Sequence, residues 1–243
     1  VVQPAGGIVS GHSLKLFDDA EALARDVAAR WLAVLARRDT SRPFTVALGG
    51  GRFPKLLYQE FSRQSADALN GVHFFWGDER CVPPDDTESN YRLAAEHLFA
   101  PLGVAADKIH RVLGEREEAF AMAQAESEIC RVADLIDDGQ PVLDLVLLGM
   151  GEDGHVASLF PGDAEGLESS AVYRAVTGPK PPPRRITLGY PTLAAAREVW
   201  VLVSGEGKSG ALRASLADDG ATPLARVLQS RTDTEIFIDF ILD

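Results

Sequence analysis

The sequence predicts a three-layer α/β/α fold built on a mostly parallel, Rossmann-like sheet. Three observations predict it. Apolar runs of strand length recur at 44–48, 72–76, 143–148, 198–204 and 235–240. Helical patterns alternate with them, which is the signature of parallel strands joined by crossover helices. Several runs end in glycine-rich or charged turns, at the carboxyl ends of strands where open α/β sheets bind ligands. With 243 residues, one large α/β domain over 1–243 is the simplest expectation.

In chain order, residues 1–17 lack the basic start and apolar middle of a signal peptide. Residues 18–38 read as an amphipathic helix. Ala22, Val27, Trp31, Val34 and Leu35 form its stripe, with Asp18 and Asp19 at the start and Arg37 and Arg38 at the end. Arg42-Pro43 breaks it, and FTVAL at 44–48 is a strand. Gly49, Gly50, Gly51 and Arg52 follow, and Pro54 suits the first turn of a helix over 54–64. A strand, three glycines and a helix N-terminus can bind an anion through free backbone N–H groups. A plain strand-to-helix turn is the alternative.

VHFFW at 72–76 is a strand that runs into Gly77-Asp78-Glu79-Arg80. Ser89-Asn90 caps a helix over 90–100 ended by Pro101 and Gly103, and His97 on it is read as structural. A long helix is expected over 115–137, stopped by Asp137-Asp138-Gly139. The run 143–148 reads as a strand buried on both faces around Asp144. Gly149, Gly151 and Gly154 then turn the chain sharply to present Asp153 and His155. An irregular stretch reaches about residue 170, and 172–176 is a strand. The proline-rich connector 178–183 delivers Arg184 and Arg185 to a strand over 185–190. A short helix at 191–197, a strand at 198–204, a helix opened by Gly205–Lys208 and running to 216, a helix at 222–228 and a strand at 235–240 complete the chain.

The formal net charge of −12 argues against nucleic acid or an anionic membrane as partner, since both need a basic field. No apolar run approaches the roughly 20 residues of a membrane helix. Two cysteines, Cys81 and Cys130, are too few for a disulfide framework and fit reduced thiols in a cytoplasmic protein. No metal motif is present, and no cofactor is expected. Residues 149–154 match G-x-G-x-x-G, but Glu152 and Asp153 would repel a pyrophosphate, and Pro161-Gly162 leaves no room for a crossover helix. Gly207-Lys208-Ser209 resembles the end of a P-loop, but Leu202 stands where the first glycine belongs. What survives is Lys208 near a helix start, a good place to hold a phosphate.

His155 can accept a proton from water at physiological pH, with Asp78 or Asp153 orienting it. Arg80, Arg185 and Lys208 bring positive charge from different strand ends. Together they read as a site for a small phosphorylated molecule.

Five segments then carry a resemblance: LGGGRFPKLLY, FFWGDERCVP with SNYR downstream, LDLVLLGMGEDGHVASLFPG, PPPRRITLGYP and VLVSGEGKSGAL. They span about 44–216 and resemble the glucosamine-6-phosphate isomerase/6-phosphogluconolactonase family, on its lactonase side. Deaminases of this fold carry a glutamate five residues after the shared histidine, where this chain has Phe160, and Asp-Glu-Tyr where it has Asp78-Glu79-Arg80. The resemblance implies hydrolysis of 6-phospho-D-glucono-1,5-lactone in the oxidative pentose phosphate pathway, without metal. It makes His155 the base, Arg80 the group that polarises the carbonyl, and Asp78 and Asp153 their supports. Gly50, Gly51, Arg52, Arg185 and Lys208 would bind the phosphate. The chain departs from the family's usual Ser-Gly-Gly-Ser-Thr-Pro loop at Gly49, Arg52 and Phe53. A deaminase-type aldose–ketose isomerase and a non-catalytic sugar-phosphate binder are the alternative readings.

Overall fold

The computed structural model describes residues 11–63 and 66–242; the expectations for 1–10 and for Gln64 lie outside them. Six parallel strands form the central sheet: β1 (His12–Leu16), β2 (Phe44–Leu48), β3 (Val72–Trp76), β7 (Leu145–Gly149), β10 (Glu198–Val203) and β11 (Thr234–Ile238). Their order is β1-β11-β10-β7-β2-β3, and every pairing is parallel. Helices flank the sheet as a three-layer α/β fold requires.

The order fixes where the helices go. From β2 the chain moves outward to β3. From β7 it moves the other way, to β10 and then β11. Right-handed crossovers in opposite directions put their helices on opposite faces. Accordingly α1 (Ala20–Arg37) packs on α2 (Arg52–Phe61), and α2 packs on α3 (Asn90–Ala94). The helices α7 (Tyr190–Ala195) and α8 (Ser209–Leu216) pack instead on α9 (Pro223–Gln229). The switch point lies between β2 and β7, and a crevice opens at their carboxyl ends.

One buried acid fixes that junction. Asp144, 4% exposed, precedes β7 and accepts from the Thr45 N–H (2.8 Å) and hydroxyl (3.0 Å) and from Arg42 (2.5 and 3.0 Å). Arg197 adds a bond of 3.1 Å. Burial alone would raise this carboxyl; Arg42 and Thr45 hold it below the usual range. The strand therefore starts two residues later than its apolar pattern suggested, with Asp144 outside it.

Other differences have local causes. β1 was not foreseen: HSLKL is a short edge strand with Leu14 and Leu16 exposed. The helix α5 (Glu118–Val132) stops early. The chain then turns at Gly139, with φ of 85°, into a hairpin of β5 (Asp134–Leu135) and β6 (Pro141–Val142). The turn signal at 137–139 closed two strands. The helical run begun by α3 continues through a π-turn at Ala95–Phe99 into α4 (Ala100–Leu102), carrying Pro101 before Gly103 ends it. The short α6 (Ala164–Glu168) lies in the stretch read as irregular. A second sheet is antiparallel, in the order β4-β9-β8, from β4 (Asp78–Arg80), β9 (Arg184–Leu188) and β8 (Tyr173–Thr177). Among the described residues no helix is long and apolar enough to cross a membrane.

A histidine pair links β3 to the segment at residue 110. His73 Nδ1 lies 2.8 Å from His110 Nε2, and His110 Nδ1 lies 2.9 Å from Glu128. Burial, aided by Lys108 and His110, pushes His73 from 6.5 down to about 4. A depressed pKa contributes stability that is fully present above the unfolded value and is lost as pH falls through the folded one. The urea midpoint is therefore expected to fall between pH 6.5 and about 4. Asp144 protonation adds a further loss at lower pH. A midpoint that stays flat across the first window contradicts this assignment.

Candidate active site

Each wall of the crevice is a turn at a strand end. After β2, Gly49 to Gly51 lead into α2. Gly51 is the N-cap residue at φ of 105°, a conformation that favours glycine. Gly50 is required for space: a Cβ there would lie 1.8 Å from Asn90 Oδ1. Arg52, the first residue of α2, lines the cleft at the positive end of the helix dipole.

After β3, Gly77 donates to the Leu48 carbonyl (2.8 Å) and the chain passes into the antiparallel sheet. There Arg80 pairs directly across from Arg185. Strand alternation turns Asp78 and Arg80 to one side and Glu79 to the other. Two like charges in register are unfavourable unless something neutralises them. Arg80 donates to the Glu88 carbonyl (2.8 Å) and carboxylate (3.3 Å), and its buried Nε has no partner among the described residues. Arg185, 7% exposed, donates to the carbonyls of Pro182 (3.1 Å) and Lys180 (3.3 Å). Burial and then Arg80 lower its pKa, opposed by Asp78 and Glu88.

After β7, the turn is closed by Gly151 N–H to the His155 carbonyl (2.9 Å). Two of its glycines leave no room for side chains. A Cβ on Gly151 would sit 2.1 Å from the His155 ring, and one on Gly154, at φ of 80°, 2.8 Å from Thr222 Cβ. Thr222 is the N-cap of α9, and Leu224 donates to the Gly154 carbonyl (3.1 Å). His155 Nδ1 lies 2.5 Å from Asp153 Oδ1, which also accepts the His155 backbone N–H at 3.1 Å. Burial would raise the Asp153 carboxyl; the bonds from His155 outweigh it and hold it below its usual range. In the neutral tautomer with Nδ1–H on Asp153, Nε2 is left as a proton acceptor.

The two candidate orienting acids are thus separated. Asp153 holds the imidazole. Asp78 accepts from Ser158 Oγ (2.6 Å) and stands 3.4 Å from Asn90 Nδ2, anchoring the segment after His155. After β10, Lys208 occupies the position just before α8. Burial lowers its pKa, Asp239 and Glu152 oppose the shift, and Arg52 adds to it.

Gly50, Gly51, Arg52, Asp78, Arg80, His155, Arg185 and Lys208 line one cleft of about 450 Å³. Asp153 lines an adjoining lobe that shares His155, Arg185 and Lys208. Two contributors went unrecognised. Asn90 faces the cleft and donates to the Asp78 carbonyl (2.8 Å). Glu79, 3% exposed, accepts the backbone N–H groups of Arg80, Asn90 and Tyr91 (2.7–2.8 Å) and the Ser89 hydroxyl (3.1 Å). Burial pushes its carboxyl up to about 7 against those donors. The alternation of Asp78-Glu79-Arg80 was the available signal: an acid between two cleft residues must face inward.

The family model for glucosamine-6-phosphate isomerases/6-phosphogluconolactonase matches residues 18–236. The chain belongs to this family. Among its members, 6-phosphogluconolactonase of Mycobacterium tuberculosis is 35% identical over 220 residues, covering 88% of each chain. That of Haemophilus influenzae is 35% identical over 82% of this chain and 86% of its own. The solved structure of 6-phosphogluconolactonase from Trypanosoma cruzi superposes with a TM-score of 0.86 at 26% identity, covering 96% of both chains. A monomeric glucosamine-6-phosphate deaminase, 19% identical with a TM-score of 0.76, shares the fold.

The contact of Gly50 with Asn90 is testable by a double-mutant cycle. Gly50→Ala is expected to destabilise the protein by about 1–3 kcal/mol through overpacking. In an Asn90→Ala background, where the obstructing amide is gone, the cost should largely disappear. Additive costs in urea unfolding would show that the two residues do not collide.

Proposed function

We propose that the chain hydrolyses 6-phospho-D-glucono-1,5-lactone to 6-phosphogluconate, as a step of the oxidative pentose phosphate pathway, with His155 activating water. The observation that carries this reading is the His155–Asp153 pair set at the rim of a cleft that also gathers Arg80, Arg185 and Lys208. Family membership and relatives named for this activity support it.

The chemistry needs little else. A lactone is an activated ester, so orientation and one general base suffice. Imidazole Nε2 takes a proton from water as its oxygen bonds to the lactone carbonyl carbon. The developing oxyanion is stabilised by Arg80. When the tetrahedral intermediate collapses, the bond from that carbon to the ring oxygen breaks. The imidazolium returns its proton to the departing ring oxygen, leaving a hydroxyl and a carboxylic acid, which ionises to the carboxylate and releases its proton to water. Asp153 keeps the imidazole in the right tautomer and stabilises its charged form. Lys208, Arg185, Arg52 and the N–H groups of Gly50 and Gly51 hold the phosphate. Asp78 supports the wall through Ser158 and Asn90. No metal or cofactor takes part.

His155→Ala is expected to lower kcat by about 10²–10⁴-fold. Near wild-type turnover would remove His155 from the mechanism. A paired assay addresses the reaction itself: acid release from the phospholactone above its spontaneous rate, and ammonia release from glucosamine 6-phosphate. The first alone is expected; ammonia alone would reverse the reading. Dialysis against EDTA should leave the hydrolysis rate unchanged. A rate lost to EDTA and restored by a divalent cation would reject the metal-free route.

A further inference from the structure

Phe160 lies between the two ends of the proposed chemistry. Its ring centroid is 5.0 Å from that of His155, at an interplanar angle of 48°. The Arg185 guanidinium stands over the same ring at 5.6 Å, within the range of a cation–π contact. The connector closes the group from outside. A Cβ at Gly178 would lie 3.0 Å from both Phe160 Cζ and Arg185 Nε. The same connector supplies the carbonyls of Pro182 and Lys180 to Arg185.

The backbone leading to the ring is fixed. Val156 and Leu159 are fully buried, Leu159 N–H donates to the Val156 carbonyl (2.9 Å), and Ser158 is bonded to Asp78. A phenyl ring can neither accept a proton in this reaction nor replace the anion ligand. What it can do is set the tilt of one cationic plane and one imidazole plane together.

We propose that Phe160 is a positioning residue, coupling the orientation of the base His155 to that of the anion-binding Arg185. This rests on the lactone-hydrolase reading. The two groups act on different parts of the substrate, so their relative placement decides whether a phosphate-anchored lactone meets the base. Misplacement of a reacting group by about an ångström costs up to about 10²-fold.

The test compares Phe160→Leu with Phe160→Tyr. In Phe160→Leu, kcat for the phospholactone should fall about 10–100-fold. KM, and the dissociation constant of inorganic phosphate, should rise about two- to fivefold as the cation–π contact is lost. Phe160→Tyr, which keeps the ring, should restore most of both. Gly178→Ala, which presses on the ring and on Arg185 from outside, should move kcat in the same direction by a smaller factor. The His155 ring-proton resonances should shift in Phe160→Leu through loss of the neighbouring ring current. Unchanged kcat in Phe160→Leu overturns the proposal. So does a loss matched by the unfolded fraction alone, or a loss that Tyr fails to rescue. If the wild-type chain does not hydrolyse the lactone, the reading under Proposed function fails. The coupling is then decided by phosphate affinity and the His155 resonances, and no change in either overturns it.

Discussion

The placement of the cleft depends on one buried carboxylate at the opposite end of the sheet. Asp144 binds both the backbone and the hydroxyl of Thr45, and so fixes β7 against β2. A slip between these strands would change which strand end stands beside which. With the register set, Gly49, just after β2, and Gly149, the last residue of β7, lie at the switch point, and both turns open into the same crevice. Arg42 and Arg197 neutralise the acid and share its remaining lone pairs, which lets a charge serve as a register pin inside a protein.

The charge of the site is arranged against that of the chain. The net charge is −12, yet the cleft gathers Arg52, Arg80, Arg185 and Lys208. Backbone carbonyls do much of the work of holding them. Arg185 is held by Pro182 and Lys180, and Arg80 partly by Glu88. A carbonyl orients a guanidinium without cancelling its charge, so the positive field remains for a ligand. Burial of Lys208 and Arg185 acts in the same direction, because a desolvated cation gains more from an incoming anion than a hydrated one.

Much of this was legible in the sequence, for a physical reason. Three-glycine and glycine–aspartate turns after apolar runs advertise backbone that must approach something closely. Gly50, Gly51, Arg52, Asp78, Arg80, Asp153 and His155 all line the cleft or its adjoining lobe. The pairing of Arg80 with Arg185 was not legible, because an antiparallel register between distant segments leaves no local pattern. Nor was the division of labour between Asp78 and Asp153: both follow strands, and only the tertiary path decides which one meets the imidazole. Glu79 was hidden among other charges although its strand neighbours face the cleft. β1 escaped because an exposed edge strand need not be apolar, and α5 was drawn too long because exposed Leu135 and Ile136 extend a helical pattern without a core to bury them.

The contact between Gly154 and Thr222 also carries a consequence for how the molecule is made. The turn bearing His155 is closed on its far side by the cap of α9, a segment near the carboxyl end. Chains emerge from the ribosome amino end first. The strands up to β10, the 49–52 turn and the paired arginines are therefore synthesised before the element that locks the histidine turn, and β11 follows it. His155 is thus held in its turn only after most of the walls of the cleft have been made.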